Sequence, residues 1–390
     1  MKRRNFCQSI AMGSACFAGI VGRDLAFAMS SKSIQAKPHH PWVVLYWMPY
    51  DNNLARFGEP IIEMLARGTQ NSETAVAVQS DYWGDAHMRR RQITGGAVTE
   101  IEISGEDSSD SSALATYLDW AYQTFDAEHW AVIVVGHGGK INEVSPDDHR
   151  INARTRTWMG VDQFSNVVSN FNRLTNGQVE LLFFQNCNKA TLEVAYEARN
   201  CAQYTLASQL TLGAPNYYYE AFLARLASIS DGHEAAIAIM DSERADMYHT
   251  LTLVDNQAVS RIPEKLSRLL KSILRGHLTT VEQADIPTYY YFGEQHCDAL
   301  FLLNYLTDVS GQGQSELVDF TDFLNSSLIV SHKTGGELLG SLSPRSSDSE
   351  ELCGLSIYLP ETEQDNSRYG SLALYQETDL VTLYREIITS

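Results

Sequence analysis

Apolar and polar positions alternate along the chain in blocks, and the strand-length blocks are the most apolar. Trp42 to Met48, Thr74 to Ser80, Trp130 to Gly136, Val179 to Gln185 and Gln203 to Ser208 are apolar runs. Such runs mark strands buried on both faces of a parallel sheet. Between them, Ser108 to Thr124 repeats apolar residues at Leu114, Leu118 and Tyr122, a helical spacing, and Val161 to Leu174 and Ala190 to Arg199 fit helices as well. Pro49 breaks the first run, and Asp or Asn within Asp51-Asn52-Asn53-Leu54 can cap a helix through Ile61-Ile62-Glu63-Met64-Leu65. Gly95-Gly96 sits between His87 to Thr94 and Ala97 to Ile103 and predicts a hairpin, because glycine accepts the positive φ angles of a tight turn. This alternation of strands and helices is that of an α/β fold.

Beyond Ala214-Pro215-Asn216-Tyr217-Tyr218-Tyr219 the texture changes to helical segments at Glu220 to Ala227, Gly232 to Asp241 and Val259 to Arg275. A helix from Leu317 to Val330, an apolar strand from Gly354 to Leu359 and a closing helix near Leu380 to Ile388 follow. A chain of 390 residues exceeds the usual range of one core. The expected division is an α/β domain at 41–230 and a smaller C-terminal α/β domain at 231–390. Residues 1–28 read as an export signal: Lys2-Arg3-Arg4, the apolar run Ile10 to Val21, then Ala26-Phe27-Ala28. Arg3-Arg4-Asn5-Phe6 resembles the twin-arginine version. The apolar run is shorter than the roughly 20 residues that span a bilayer, so no stable membrane insertion is expected after cleavage. Residues 29–40, rich in Ser, Lys and His, read as a flexible lead-in to an exported protein, periplasmic or secreted.

The formal net charge is −19, and without residues 1–28 it becomes −22. A surface of that sign repels nucleic acid and anionic lipid, which excludes a nucleic-acid partner. Outside the signal only Cys187, Cys201, Cys297 and Cys353 remain, too few for a disulfide scaffold, and no C-x-x-C pair points to zinc. A Cys297 to Cys353 bridge is an open expectation for an oxidising compartment.

The chemistry gathers where two of the buried strands end. Trp130 to Gly136 stops at His137-Gly138-Gly139, and Val179 to Gln185 stops at Asn186-Cys187-Asn188. Ligands in open α/β sheets collect at that carboxyl edge, so a thiol and an imidazole reach one rim. A free thiol near its usual pKa is only a few per cent thiolate at neutral pH; His137 can take its proton, and a helix starting near Asn188 would aim its positive end at the sulfur. Gly138 leaves its amide open to a developing oxyanion, with the Cys187 amide as second donor. No Gly-x-Ser-x-Gly elbow supports an esterase, and Gly232-His233-Glu234-Ala235-Ala236-Ile237 lacks the second His of a zinc peptidase, so no metal ligands are assigned.

His137 and Cys187 are 50 positions apart, close to the caspase interval. Phe183 to Glu197, the opening Tyr46-Trp47-Met48-Pro49-Tyr50-Asp51-Asn52-Asn53-Leu54, Gly136-His137-Gly138-Gly139, Ala207-Ser208-Gln209 and Cys353 to Pro360 together resemble the clostripain family of cysteine peptidases. That resemblance implies a caspase-like three-layer α/β/α sandwich with a mostly parallel sheet, a His137 and Cys187 dyad, and a peptide or protein substrate bound by a monomer. It also implies that Gln185, Asn186, Ser208, Gln209, Asn216 and Tyr217 line the substrate pocket. Members that cut after Arg or Lys carry Asp two residues before the nucleophile, where this chain has Gln185, so a neutral or polar preference is expected. Self-cleavage in the Lys140 to Arg156 segment and calcium binding are further family traits; no cofactor is required by the residues themselves. The competing reading is a degenerate relative that binds peptides without cleaving them.

Overall fold

The computed structural model describes residues 37–389 apart from 106, 150–154, 277, 279–280, 283–284 and 337–351. The expected export signal lies outside the described residues. The chain enters on β1 (His39–Tyr50), so regular structure begins inside the expected lead-in, and crosses through α1 (Gly58–Thr69) to β2 (Ala75–Tyr82). The hairpin β3 (Met88–Thr94) and β4 (Ala97–Ile103) follows, then α2 (Ser111–Thr124) and β5 (Asp126–Val135). A two-stranded excursion, β6 (Glu143–Asp147) and β7 (Thr157–Gly160), precedes α3 (Val161–Leu174), β8 (Val179–Gln185), α4 (Leu192–Ala198) and β9 (Tyr204–Ser208).

Strands β2, β1, β5, β8 and β9 pair in parallel in that spatial order. Antiparallel β3 and β4 extend one edge. The other edge is completed from the C-terminal half. After α5 (Tyr219–Leu226) and α6 (Gly232–Ser242), β10 (His249–Asp255) pairs antiparallel with β9. Next come α7 (Asn256–Val259), α8 (Ile262–Ile273), the hairpin β11 (Thr288–Tyr291) and β12 (Glu294–Asp298), α9 (Ala299–Ser310) and α10 (Gln314–Phe323). Strand β13 (Ile329–Gly335) pairs with β10 and, among the described residues, makes nine strands in one sheet. Strand β14 (Ser356–Tyr358) joins β11 and β12 in a small second sheet before three closing helices, α11 (Glu363–Arg368), α12 (Ala373–Glu377) and α13 (Leu380–Thr389).

Side chains alternate across β1 as the strand period demands. Val43, Leu45 and Trp47 face α2, α3 and α4, whereas Val44, Tyr46 and Met48 face α1, α5 and α6. The sandwich therefore has the three layers expected. Burying each large apolar side chain stabilises it by about 1.5–3 kcal/mol, and both faces of the sheet are lined with them. The two flanks of residue 230 do not part along the sheet, because β9 and β10 are hydrogen-bonded neighbours.

Strand β6 lies within the Lys140 to Arg156 segment. Two expectations need correcting. The helix after Cys187 starts at Leu192, not near Asn188, because Asn188 takes a positive φ of 56° and turns the chain. The α-helix expected to run to Val330 ends at Phe323, and β13 begins at Ile329. Strand β10 escapes the apolar-run criterion because Thr250 and Thr252 interrupt it. Both are buried with their hydroxyls satisfied, Thr250 by Ser208 at 3.0 Å and Thr252 by the Gly354 carbonyl at 2.6 Å.

Candidate active site

The parallel strands leave a crevice where successive connections run in opposite directions. The chain leaves β1 toward β2 on one side and leaves β5 toward β8 on the other, so the loops after β1 and β5 diverge. Asn53 follows β1, His137 follows β5, and Cys187 follows the neighbouring β8. His137 and Cys187 both line a cavity of about 110 Å³, together with Gln185, Leu212, Gly213 and Asn216.

Cys187 sits at the apex of a turn fixed from both sides. The Asn186 side chain donates to the His137 carbonyl at 3.0 Å, which ties the ends of β8 and β5 together. The Leu212 amide points at the Cys187 sulfur at 3.4 Å. Gly138 has no alternative here: a Cβ at that position would lie 2.1 Å from the Cys187 carbonyl oxygen and 3.2 Å from its nitrogen. The two backbone segments expected to donate to an oxyanion are thus packed against each other. Burial pushes the Cys187 thiol up, opposed by hydrogen bonding from Tyr291 and the Leu212 backbone.

The imidazole is held by a residue whose part was not expected. His137 Nε2 meets Asn53 Oδ1 at 2.7 Å. An amide oxygen only accepts, so Nε2 carries the hydrogen and Nδ1 keeps a free lone pair. Locally Asn53 reads only as a cap, because nothing near it in the chain shows that the loop after β1 folds over the end of β5. Burial lowers the His137 pKa, and the nearby Arg156 charge lowers it further. Lys189, buried and pushed down to about 7, donates to the Lys140 carbonyl at 2.6 Å and braces the segment after His137.

The cavity floor is a chain of amides. Gln185 Nε2 donates to Asn216 Oδ1 at 2.7 Å and to the Tyr219 hydroxyl at 2.6 Å, while its Oε1 accepts from Tyr218 at 2.6 Å. Asn216 in turn donates from Nδ2 to Glu243 Oε2 at 2.9 Å. Glu243 can only accept, so it dictates which way each amide points. Of the remaining expected pocket residues, Asn186 is buried as the strand-end tie. Ser208 and Gln209 are fully buried behind the site: Ser208 bonds Thr250, and Gln209 bonds Asp298 and the Gly354 amide. Tyr217 is partly exposed beside Arg244. None of these four lines the cavity. Cys297 and Cys353 are free thiols.

The calcium trait has one place to be tested among the described residues, Asp107, Asp147 and His149. Asp147 already accepts from the Ser108 and His149 amides at 2.8 and 2.7 Å. Both His149 ring nitrogens have partners, Asp147 and Thr157. Asp107 accepts from the Ser109 amide and hydroxyl at 2.9 and 2.6 Å, so each of the three side chains already has a partner within the protein.

Residues 46–380 match the model of the clostripain family. The chain belongs to the clostripain family. As a member it is a cysteine peptidase acting on peptide or protein substrates. A secreted C11 cysteine protease from Bacteroides thetaiotaomicron, solved with an irreversible peptide inhibitor, superimposes with a TM-score of 0.67 at 15% identity, over 87% of this chain and 99% of that one. An inactive zymogen C11 protease from Parabacteroides distasonis gives 0.68 at 15% identity, over 87% and 98%. At such identities the likeness speaks for the fold, and the fold is the caspase-like one these clostripain relatives share. No curated protein sequence is significantly similar to this one. No helix among the described residues is long and apolar enough to cross a membrane.

Proposed function

We propose that this clostripain-family chain is an exported, monomeric endopeptidase in which His137 and Cys187 form the catalytic dyad. The observation that carries the reading is the shared cavity at the ends of β5 and β8, with Gly138 packed on the Cys187 backbone. His137 Nδ1 takes the thiol proton as sulfur attacks the scissile carbonyl, and the carbonyl oxygen gains its charge beside the Gly138 and Cys187 amides. When the C–N bond breaks, the proton passes from the imidazole to the leaving amine, leaving a thioester on Cys187. Water activated by the same imidazole then hydrolyses the thioester and restores the thiol. Asn53 acts as the positioning partner that keeps the hydrogen on Nε2.

The preferred side chain at the cut is neutral. Gln185 supplies no charge to pair a guanidinium, and desolvating an unpaired cation in a cavity of this size is costly. Export is supported by the Lys2-Arg3-Arg4 to Ala28 pattern and by the relative described as secreted. Profiling cleavage sites in a denatured proteome, with wild-type and Cys187→Ala protein, tests the whole reading. Cuts after neutral residues that vanish in the variant are expected; cuts confined to Arg or Lys would refute the specificity, and unchanged cutting by the variant would refute the dyad.

A further inference from the structure

The tight turn between β11 and β12 carries a bulky ring where its backbone least favours one. Its two residues, Phe292 and Gly293, have φ angles of 51° and 76°. Asn-Gly is the usual filling of that left-handed pair, and a large side chain at positive φ is a strained choice that points to a use for the ring. The ring stays 40% exposed, 6.5 Å from the His137 ring. Trp158 backs it edge to face at 5.7 Å, and Trp158 in turn sits on Gly139, where a Cβ would lie 2.7 Å from the indole. The hairpin is pinned to the segments that follow both proposed dyad residues. The Tyr289 hydroxyl is 2.5 Å from Asn188 Oδ1, next to Cys187, and Glu294 accepts at 2.8 Å from the amide of Ile141, shortly after His137. Arg156 lies over the Trp158 ring at 5.9 Å and is already bonded to Asp148 at 3.0 Å, so the ledge of Phe292 and Trp158 is recognised by its ring surface. Neither ring lines the cavity that holds Gln185.

We propose that Phe292, backed by Trp158, forms the subsite for the residue that follows the scissile bond and selects a large apolar side chain there. The inference rests on His137 and Cys187 being the dyad. In that reaction the imidazole hands its proton to the leaving amine, so the leaving nitrogen comes within hydrogen-bonding distance of His137. The residue that owns this nitrogen places its Cβ two bonds further on, within roughly 5–6 Å of the donating ring nitrogen. Phe292 stands at that same distance from the imidazole, whereas the Gln185 cavity takes the residue before the cut. Leu, Ile, Met or Phe reaches the Phe292 face with its outer carbons and removes exposed ring surface from water. Gly is too short to do so, and Asp would set its charge beside apolar rings. Because the hairpin is pinned on both strands, the ledge is formed before substrate arrives and no loop has to be ordered on binding.

The test reads the first residue after each cut, from the new N-termini made in a denatured proteome by wild type, Phe292→Asn, Phe292→Tyr and Tyr290→Phe. Asn accepts the positive φ, so the turn survives loss of the ring. Wild type should enrich Leu, Ile, Met and Phe about tenfold over Gly and Asp at that position, the effect of half-burying one such side chain. Phe292→Asn should reduce the enrichment to less than about threefold while the residue preferred before the cut stays the same. Phe292→Tyr and Tyr290→Phe should keep the wild-type enrichment. No enrichment in wild type, or enrichment that Phe292→Asn leaves intact, overturns the proposal; slower cutting at all sites alike would make Phe292 a support for the imidazole and nothing more. If Phe292→Asn cuts too little to profile, peptides that wild type cleaves before Leu should show kcat/KM about tenfold lower when Gly replaces that Leu, and equal values overturn the proposal. Cuts that persist in Cys187→Ala would instead remove the dyad reading, whereas a missing preference after the cut would leave Cys187-dependent cleavage standing.

Discussion

Replacing Gln185 with Glu changes one atom of the cavity floor and tests whether the Glu243–Asn216–Gln185 relay fixes the pocket's neutrality. The new side chain keeps the reach of the old, and its oxygens can accept from Tyr218 and Tyr219, which bond Gln185 at 2.6 Å. The atom that replaces Nε2 faces Asn216 Oδ1, 2.7 Å away, and Asn216 cannot flip without turning the same oxygen onto Glu243. One hydrogen bond is lost and an acceptor is left facing an acceptor in a buried setting, which costs about 2–3 kcal/mol when the carboxyl is ionised. A protonated carboxyl restores the donor. The introduced group is thereby raised from an unfolded value near ~4.3 to roughly 6 in the folded state, at ~1.36 kcal/mol per unit. Because the folded value is the higher one, the variant should match wild type below pH ~4 and lose stability as pH climbs, with the full penalty by pH ~8. For roughly 350 ordered residues with an unfolding entropy near ~2.1 cal/mol/K each, the deficit corresponds to a Tm lower by about 3–4 °C. Melting curves at acid and alkaline pH read it out, and at pH ~8 turnover of Arg- or Lys-containing peptides should rise about tenfold relative to neutral ones. A Tm deficit of the same size at both pH values, or none at pH ~8, would refute the relay.

Other consequences can be checked singly. Asn53→Ala should lower kcat about tenfold with KM nearly unchanged in a fluorogenic peptide assay, since losing one hydrogen bond of ~1.4 kcal/mol frees the imidazole to present the wrong nitrogen. The acid limb of kcat/KM should have its midpoint below 6.5, because burial lowers His137 and the general base must be neutral; a midpoint above that value would contradict the assigned burial. Gly138→Ala should abolish turnover while protein still folds by circular dichroism, because its Cβ would meet the Cys187 carbonyl at 2.1 Å. Asp81 is buried against Asp147 and pushed up to about 9, by burial first and by that neighbour's charge next, so the pair holds one proton at neutral pH. Its raised folded value means that wild-type Tm should fall as pH rises toward about 9, whereas Asp81→Asn, with permanent N–H donors, should stay level.

Much of the sheet was readable because parallel strands buried on both faces must be apolar throughout. Val179–Gln185 and Val161–Leu174 match their expected bounds. The same logic led to Cys187 and His137, the proposed nucleophile and base, since strand ends are where side chains reach a cleft, and both line one cavity. What escaped was carried by distant partners. Thr250 and Thr252 look polar until Ser208 and Gly354 satisfy them. Ser208 and Gln209 sit beside a sheet edge yet face inward, because Asp298 and Gly354 claim the Gln209 amide. Asn53 carries no local signal of its contact with His137, which it gains because the loop after β1 folds over the end of β5.

That dependence on remote segments sets a timetable for the molecule. Gln209 is gripped by Asp298 and Gly354, 89 and 145 positions further along the chain, and the outer strand β13 arrives after residue 328. Contacts so far apart are slow to close, since the intervening chain must give up its freedom first. A nascent chain would display its thiol and imidazole well before the support behind them exists, so cutting power should emerge last, when synthesis and collapse are both finished.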